Sequence, residues 1–134
     1  MDSTDARGGA ASAARYTVDD KRTAARHGLV EAVKGGYTPL LASVTGSALR
    51  GLDHAGSDLD VLVAVADTLP RPVVEVTEDL DLTFAPLPYI LGKVGVSVPY
   101  TEWAASPYIV PHGVLGEAWF PMVRAVSRGV RPEL

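Results

Sequence analysis

Apolar residues follow two different periods along this chain, and the change of period divides it into elements. Ala24, Ala25, Leu29, Val30 and Val33 recur at near-helical spacing, Thr17 and Asp20 are set three apart as in a capping box, and Gly35-Gly36 follows. This predicts a helix over 19–34 with a glycine stop. Pro39 then opens the run Leu40-Leu41-Ala42-Ser43-Val44-Thr45, which ends at Gly46-Ser47 and reads as a strand entering a tight turn. Residues 48–52 suit a short helix, and His54-Ala55-Gly56 a loop. A second strand is expected over 58–66, and the two prolines between Asp67 and Pro72 suit a turn. Residues 73–84 divide around Glu78-Asp79. In the second half the alternation is strict, so Leu80, Leu82 and Phe84 face the core while Asp79, Asp81 and Thr83 face the other way.

Beyond Phe84 the prolines at 86, 88, 99, 107, 111 and 121 cut the chain into short pieces. Short helices are predicted over 87–94, 100–105 and 113–127, the last kinked or split at Pro121. Helix, strand, turn, two more strands and then helices describe an α/β (α+β) domain, a small mixed β-sheet with helices packed on it.

Length allows one such domain. Of 134 residues, the first fifteen are small and polar, and they read as a disordered tail before a single domain over 16–134. With 47% hydrophobic and 21% charged residues the balance is globular. A formal charge of -4 argues against a protein that grips nucleic acid mainly through its phosphates. The absence of cysteine removes disulfides, zinc thiolates and thiol nucleophiles together. The N-terminus lacks the apolar segment of a secretory signal, and no apolar run is long enough to span a bilayer, so a cytoplasmic protein without a membrane role is expected.

Against this background one stretch stands out chemically, Thr45 to Val63, TGSALRGLDHAGSDLDVLV. Asp58 and Asp60 are one residue apart at the start of an apolar strand, so both carboxylates share one face. Like charges so placed repel unless a cation lies between them, and a divalent metal is the natural candidate. His27, His54 and His112 are scattered and have no partners at ligand spacing. Trp103, Trp119 and Phe120 read as core or interface residues, and Lys93 as a solvated lysine.

Gly46-Ser47, then ten residues, then Asp58-Leu59-Asp60 and an apolar strand resembles the DNA polymerase beta-like nucleotidyltransferase superfamily. Val44-Thr45 supplies the apolar position before the Gly-Ser pair, and Ser57 stands before Asp58 as a serine often does in relatives. The run Leu87-Pro88-Tyr89-Ile90-Leu91-Gly92-Lys93 with Glu102-Trp103 is similar, more weakly, to a branch found in bacteria and their phages. Together the matches cover about residues 40–105.

The resemblance implies a nucleotidyltransferase fold and transfer of NMP from an NTP to an acceptor hydroxyl. Two Mg2+ ions roughly 4 Å apart would stabilise the attacking and leaving oxygens of an in-line displacement. Asp58 and Asp60 would hold both ions. Asp81 matches the third carboxylate on a later strand, although Asp79 shares its face and competes for that role, with Glu75 a further candidate. Gly46 and Ser47 would cradle the triphosphate, with Arg50 and Ser57 as further nucleotide-binding candidates. Each has a plainer reading, since Gly-Ser turns, exposed strand aspartates and solvated arginines are common; the joint spacing is what points to nucleotidyl transfer.

The resemblance leaves the acceptor open among a small molecule, an RNA end and a protein. Many relatives continue into a further helical segment that shapes the acceptor site. Here the sequence has only one broken helix in that place, so the site is expected to be an open groove, a homodimer interface or a surface completed by a protein partner. The alternative from another class is a weakly active or non-catalytic interaction module, an antitoxin-like minimal nucleotidyltransferase acting through its partner.

Overall fold

The computed structural model describes residues 16–46, 59–77 and 80–130. In chain order the elements are α1 (Val18–Lys34), β1 (Pro39–Thr45), β2 (Leu59–Val65), β3 (Val73–Val76), β4 (Leu80–Pro86), α2 (Leu87–Lys93), α3 (Val98–Ala105), β5 (Val110–Pro111) and α4 (Gly113–Ser127). The five strands form one sheet in the order β3-β4-β2-β1-β5. β1 runs antiparallel to β2 and β5, β2 parallel to β4, and β3 antiparallel to β4, so the sheet is mixed.

α1 begins where the capping pattern places it. Asp20 N–H donates to Thr17 Oγ1 at 3.0 Å, and Thr17 N–H donates back to Asp20 Oδ2 at 2.9 Å. These bonds satisfy two amides that a helix N-terminus otherwise leaves open. The helix then buries a stripe of small residues, Ala24, Ala25, Gly28 and Ala32 with Leu29, against one sheet face. That face contributes Ala42 and Val44 of β1, Val61, Val63 and Val65 of β2, and Leu80, Leu82 and Phe84 of β4. Tyr37 stacks on Phe84 with ring centroids 4.9 Å apart and closes the layer.

The opposite face carries a second core. Leu41, Leu62, Ala64 and Ala85 meet Leu87, Ile90 and Leu91 of α2, Trp103 and Ala104 of α3, and Val123 and Val126 of α4. Trp103 is fully buried, and its indole N–H donates to the Leu62 carbonyl oxygen at 3.0 Å. Ser43 and Ser106 share a buried hydroxyl–hydroxyl bond of 2.8 Å, and Ser106 Oγ also accepts from the Tyr108 amide. These bonds hold the segment after α3 against β1, with no buried hydroxyl left unpaired at that seam.

The alternation over 80–84 holds, with Leu80, Leu82 and Phe84 on the α1 face and Asp81 and Thr83 on the other, which carries the second core farther along β4. Other expectations need correction. The helix over 113–127 is continuous through Pro121, not split. α3 starts at Val98, two residues early, because Pro99 falls in its first turn, where a proline costs no hydrogen bond. β5 was not anticipated: a two-residue strand containing proline has no period to detect, and only pairing with β1 defines it. The short helix over 48–52, the loop at 54–56 and the tail over 1–15 lie outside the described residues.

The approach of α1 to the sheet depends on Gly28. A Cβ there would sit 2.8 Å from Val61 Cγ1 and 3.1 Å from Val63 Cγ2. Gly28→Leu should therefore push α1 off the two central strands and lower stability by about 1–3 kcal/mol, read from the midpoint of urea unfolding.

Candidate functional site

The strand registers lay out the second sheet face as rows. Thr45, Asp60, Asp81 and Val76 are successive Cα partners across β1, β2, β4 and β3. The next row is Ser43, Leu62, Thr83 and Val74, and behind it lie Leu41, Ala64 and Ala85. The rear row is buried, and the middle row is sealed at Ser43 and Leu62 by Ser106 and Trp103. In the front row Thr45, Asp60 and Asp81 are half-buried and Val76 is exposed.

Two carboxylates thus stand side by side in the front row of a face that otherwise carries apolar residues and the hydroxyls of Ser43, Thr45 and Thr83. Adjacent strands are about 4.8 Å apart, so Asp60 and Asp81 are immediate neighbours. Hard divalent cations take carboxylate oxygens, and a pair of like charges so placed is relieved by one. This donor set fits Mg2+. Among the described residues no group of three or more His, Asp or Glu comes together.

Gly46 closes the Asp60 side. Its φ is +70°, a conformation that favours glycine, and a Cβ at this position would lie 3.0 Å from Asp60 Oδ2. The backbone can therefore turn directly beside the carboxylate, where any larger residue would intrude. The Asp81 side is held by Thr77. Thr77 N–H donates to the Leu80 carbonyl oxygen at 2.8 Å, and Thr77 Oγ1 accepts from Leu80 N–H at 3.1 Å. A threonine hydroxyl replacing a backbone group in this way fixes the β3–β4 corner one residue before Asp81.

Of the residues singled out in the sequence, the fold brings Gly46, Asp60 and Asp81 together. Asp58, Ser47, Arg50, Ser57 and the competing Asp79 lie outside the described residues. Glu75 does not join them: it pairs with Leu82, on the α1 side of the sheet, so its carboxylate is on the wrong face. His27 lies beside Glu31 at 3.4 Å on α1, His112 is at the N-cap of α4, and the Lys93 ammonium sits over the Tyr89 ring, 5.5 Å from its centroid, in a cation–π contact. Thr77 went unnoticed in the sequence, although a threonine flanking Glu78-Asp79 is a turn signal.

A family model described as a nucleotidyltransferase domain matches residues 28–104, more than half of the chain. The chain belongs to the nucleotidyltransferase domain family. A comparison with curated proteins found no match. The span shared with the nucleotidyltransferase family runs from Gly28 on α1 into α3 and includes Gly46, Asp60, Thr77 and Asp81; β5 and α4 lie beyond it. The mixed sheet with helices on both faces is consistent with a nucleotidyltransferase fold. No helix among the described residues is long and apolar enough to cross a membrane.

The Thr77 corner yields a direct test. Thr77→Val keeps the β-branched shape and removes the hydroxyl, leaving the Leu80 amide without its partner. Stability should fall by about 1 kcal/mol, and hydrogen exchange of the Leu80 amide should accelerate more than that of amides in α1.

Proposed function

We propose that the protein transfers a nucleotidyl group from an NTP to an acceptor hydroxyl, with Asp58, Asp60 and Asp81 as its catalytic carboxylates. The observation that carries this reading is the front row itself: Asp60 and Asp81 are register partners on adjacent strands and project from the same sheet face, with Gly46 turned against the Asp60 carboxylate. Asp58 joins them by its place two residues before Asp60 in the sequence. A Mg2+ pair held by these carboxylates would supply electrophilic stabilisation of the phosphoryl oxygens and of the departing pyrophosphate.

The chain's own residues have separate tasks. Gly46 lets the backbone come close to the triphosphate, and Ser47 hydrogen-bonds to it, with Arg50 and Ser57 as further contacts. Asp60 anchors the nucleotide end of the row. Asp81 orients the acceptor hydroxyl and receives its proton as the oxygen bonds to the α-phosphorus. The bond from that phosphorus to the bridging oxygen breaks, and its electron pair leaves with pyrophosphate.

A second reading, an interaction module acting through a protein partner, draws on a different feature. Val30 and Val33 of α1, both about half exposed, line a mainly apolar groove with Val110 and Pro111 of β5. Exposed apolar surface of this kind is a common mark of protein contact. Turnover separates the two readings, because a module without catalysis is indifferent to its carboxylates.

Two measurements test the proposal. With α-labelled NTPs, Mg2+ and a host lysate as acceptor source, Asp60→Asn should abolish label transfer. Asp81→Asn should keep NTP affinity within a few-fold yet lower transfer at least about a hundredfold, the scale of losing a positioned catalytic group. Equal labelling by parent and both variants would overturn the assignment. Separately, Gly46→Val should weaken NTP binding in calorimetry by about tenfold or more, because a branched side chain would strain the positive φ and meet the Asp60 carboxylate. Unchanged titration would remove Gly46 from the phosphate site.

A further inference from the structure

The row of partners Thr45, Asp60, Asp81 and Val76 has a direction. Gly46 follows Thr45 at one end, and the edge strand β3 forms the other. If the pyrophosphate leaves on the Gly46 side, as the proposed function has it, an in-line displacement requires the acceptor oxygen to arrive from the β3 side. What β3 presents on that face is therefore what the acceptor meets.

It presents two valines. Val76 pairs with Asp81 and Val74 with Thr83, both on the carboxylate face, and they are 72% and 65% exposed. Among the described residues β3 is the edge strand on this side of the sheet, and no described helix is part of a core over these two positions. Exposed β-branched residues are ordinary one at a time, but here two successive same-face positions of a four-residue strand flank the carboxylate that would receive the proton. The charge pattern narrows the occupant further. Glu75 is turned to the α1 face and Asp67 caps the far end of β2 by accepting from the Thr38 amide, so Asp81 is the charged side chain that β3 and β4 place here, and neither strand carries a basic residue. A polyanion entering from this side would find no cationic side chain on either strand to neutralise it, on a chain of formal charge -4.

We infer that Val74 and Val76 form the acceptor-specificity surface, and that the acceptor carries its hydroxyl on an uncharged apolar body, an aromatic or aliphatic alcohol, and not on a nucleic-acid end. The body packs on the two valines and the hydroxyl reaches Asp81. Thr83, half-buried between Val74 and Leu62, offers the acceptor one hydroxyl to bond to. This inference rests on the proposed direction of transfer, and it adds which residues choose the acceptor and by what chemistry.

The test uses the full chain with methyl-labelled valine and three model acceptors: benzyl alcohol, glycerol and a short oligonucleotide with a free 3′-hydroxyl. In NMR titrations benzyl alcohol should shift the Val74 and Val76 methyl signals, and glycerol should not. In transfer assays with each α-labelled NTP, benzyl alcohol should be the best of the three. Val74→Thr with Val76→Thr keeps shape and strand preference while adding two hydroxyls. It should lower kcat/KM for benzyl alcohol about tenfold, the lower end of what an apolar contact contributes to discrimination, with KM for the NTP unchanged. Methyl shifts confined to the valines of the core, or carboxylate-dependent transfer that favours glycerol or the oligonucleotide and ignores the double substitution, would overturn the shelf alone. Transfer that is absent, or equal in the parent and Asp60→Asn, would overturn the proposed function and this acceptor role with it.

Discussion

The in-register parallel pairing of β2 with β4 is the constraint on which the rest depends. Leu59 through Val65 match Leu80 through Pro86 one for one, and this alone places Asp60 opposite Asp81. A slip of one residue would turn either carboxylate onto the α1 face among Val61, Val63 and Leu82. The cost of burying a charge there is far larger than any local preference of the strands, so the apolar pattern and the site enforce the same register. β3 stabilises that pairing from outside: the chain leaves β2, passes to the sheet edge, and returns through the Thr77 corner into the position beside β2.

The two sheet faces are covered differently, and the difference creates the site. α1 lies along one face through its small-residue stripe, leaving no space between Gly28 and the central valines. On the other face α2, α3 and α4 cover the rear row and part of the middle one, and Trp103 reaches Leu62 by donating its indole N–H to that residue's carbonyl oxygen. Burial along the strands records the same boundary. β4 alternates between buried and half-buried from Leu80 to Thr83 and is continuously buried from Phe84 onward, while in β2 only Asp60 breaks an otherwise buried run. Under the proposed function, half-burial would let these carboxylates reach a cation while staying in contact with solvent.

Charge and shape across the front row are graded, from the turning backbone at Gly46, through the two carboxylates, to the apolar edge at Val76. A transferase needs one end suited to phosphate and another to the group that receives it. Here the two ends differ in chemistry because they fall on different strands, one at the interior of the sheet and one at its edge. Both ends lie within the span matched by the nucleotidyltransferase domain family, and the apolar character of the second is set by the sequence of β3.

The sequence by itself determined the elements whose cause is local. The Thr17–Asp20 capping box, the apolar spacing through Val33 and the glycine stop define α1 to within one residue, because the forces that start and end a helix act over a few positions. The alternation in 80–84 assigned Leu80, Leu82 and Phe84 to the core for the same reason, and the Gly46 to Asp60 spacing disclosed the family. Tertiary structure decided what depends on partners distant in sequence. That Glu75 faces away from Asp81 follows from the β3–β4 register, β5 exists only as a partner of β1, and the helix through Pro121 holds because it packs on β1 and α3. The exposure of Val74 and Val76 beside a carboxylate belongs to the same class. Two valines in a short apolar run read as core in any sequence, and only the position of β3 at the sheet edge leaves them open.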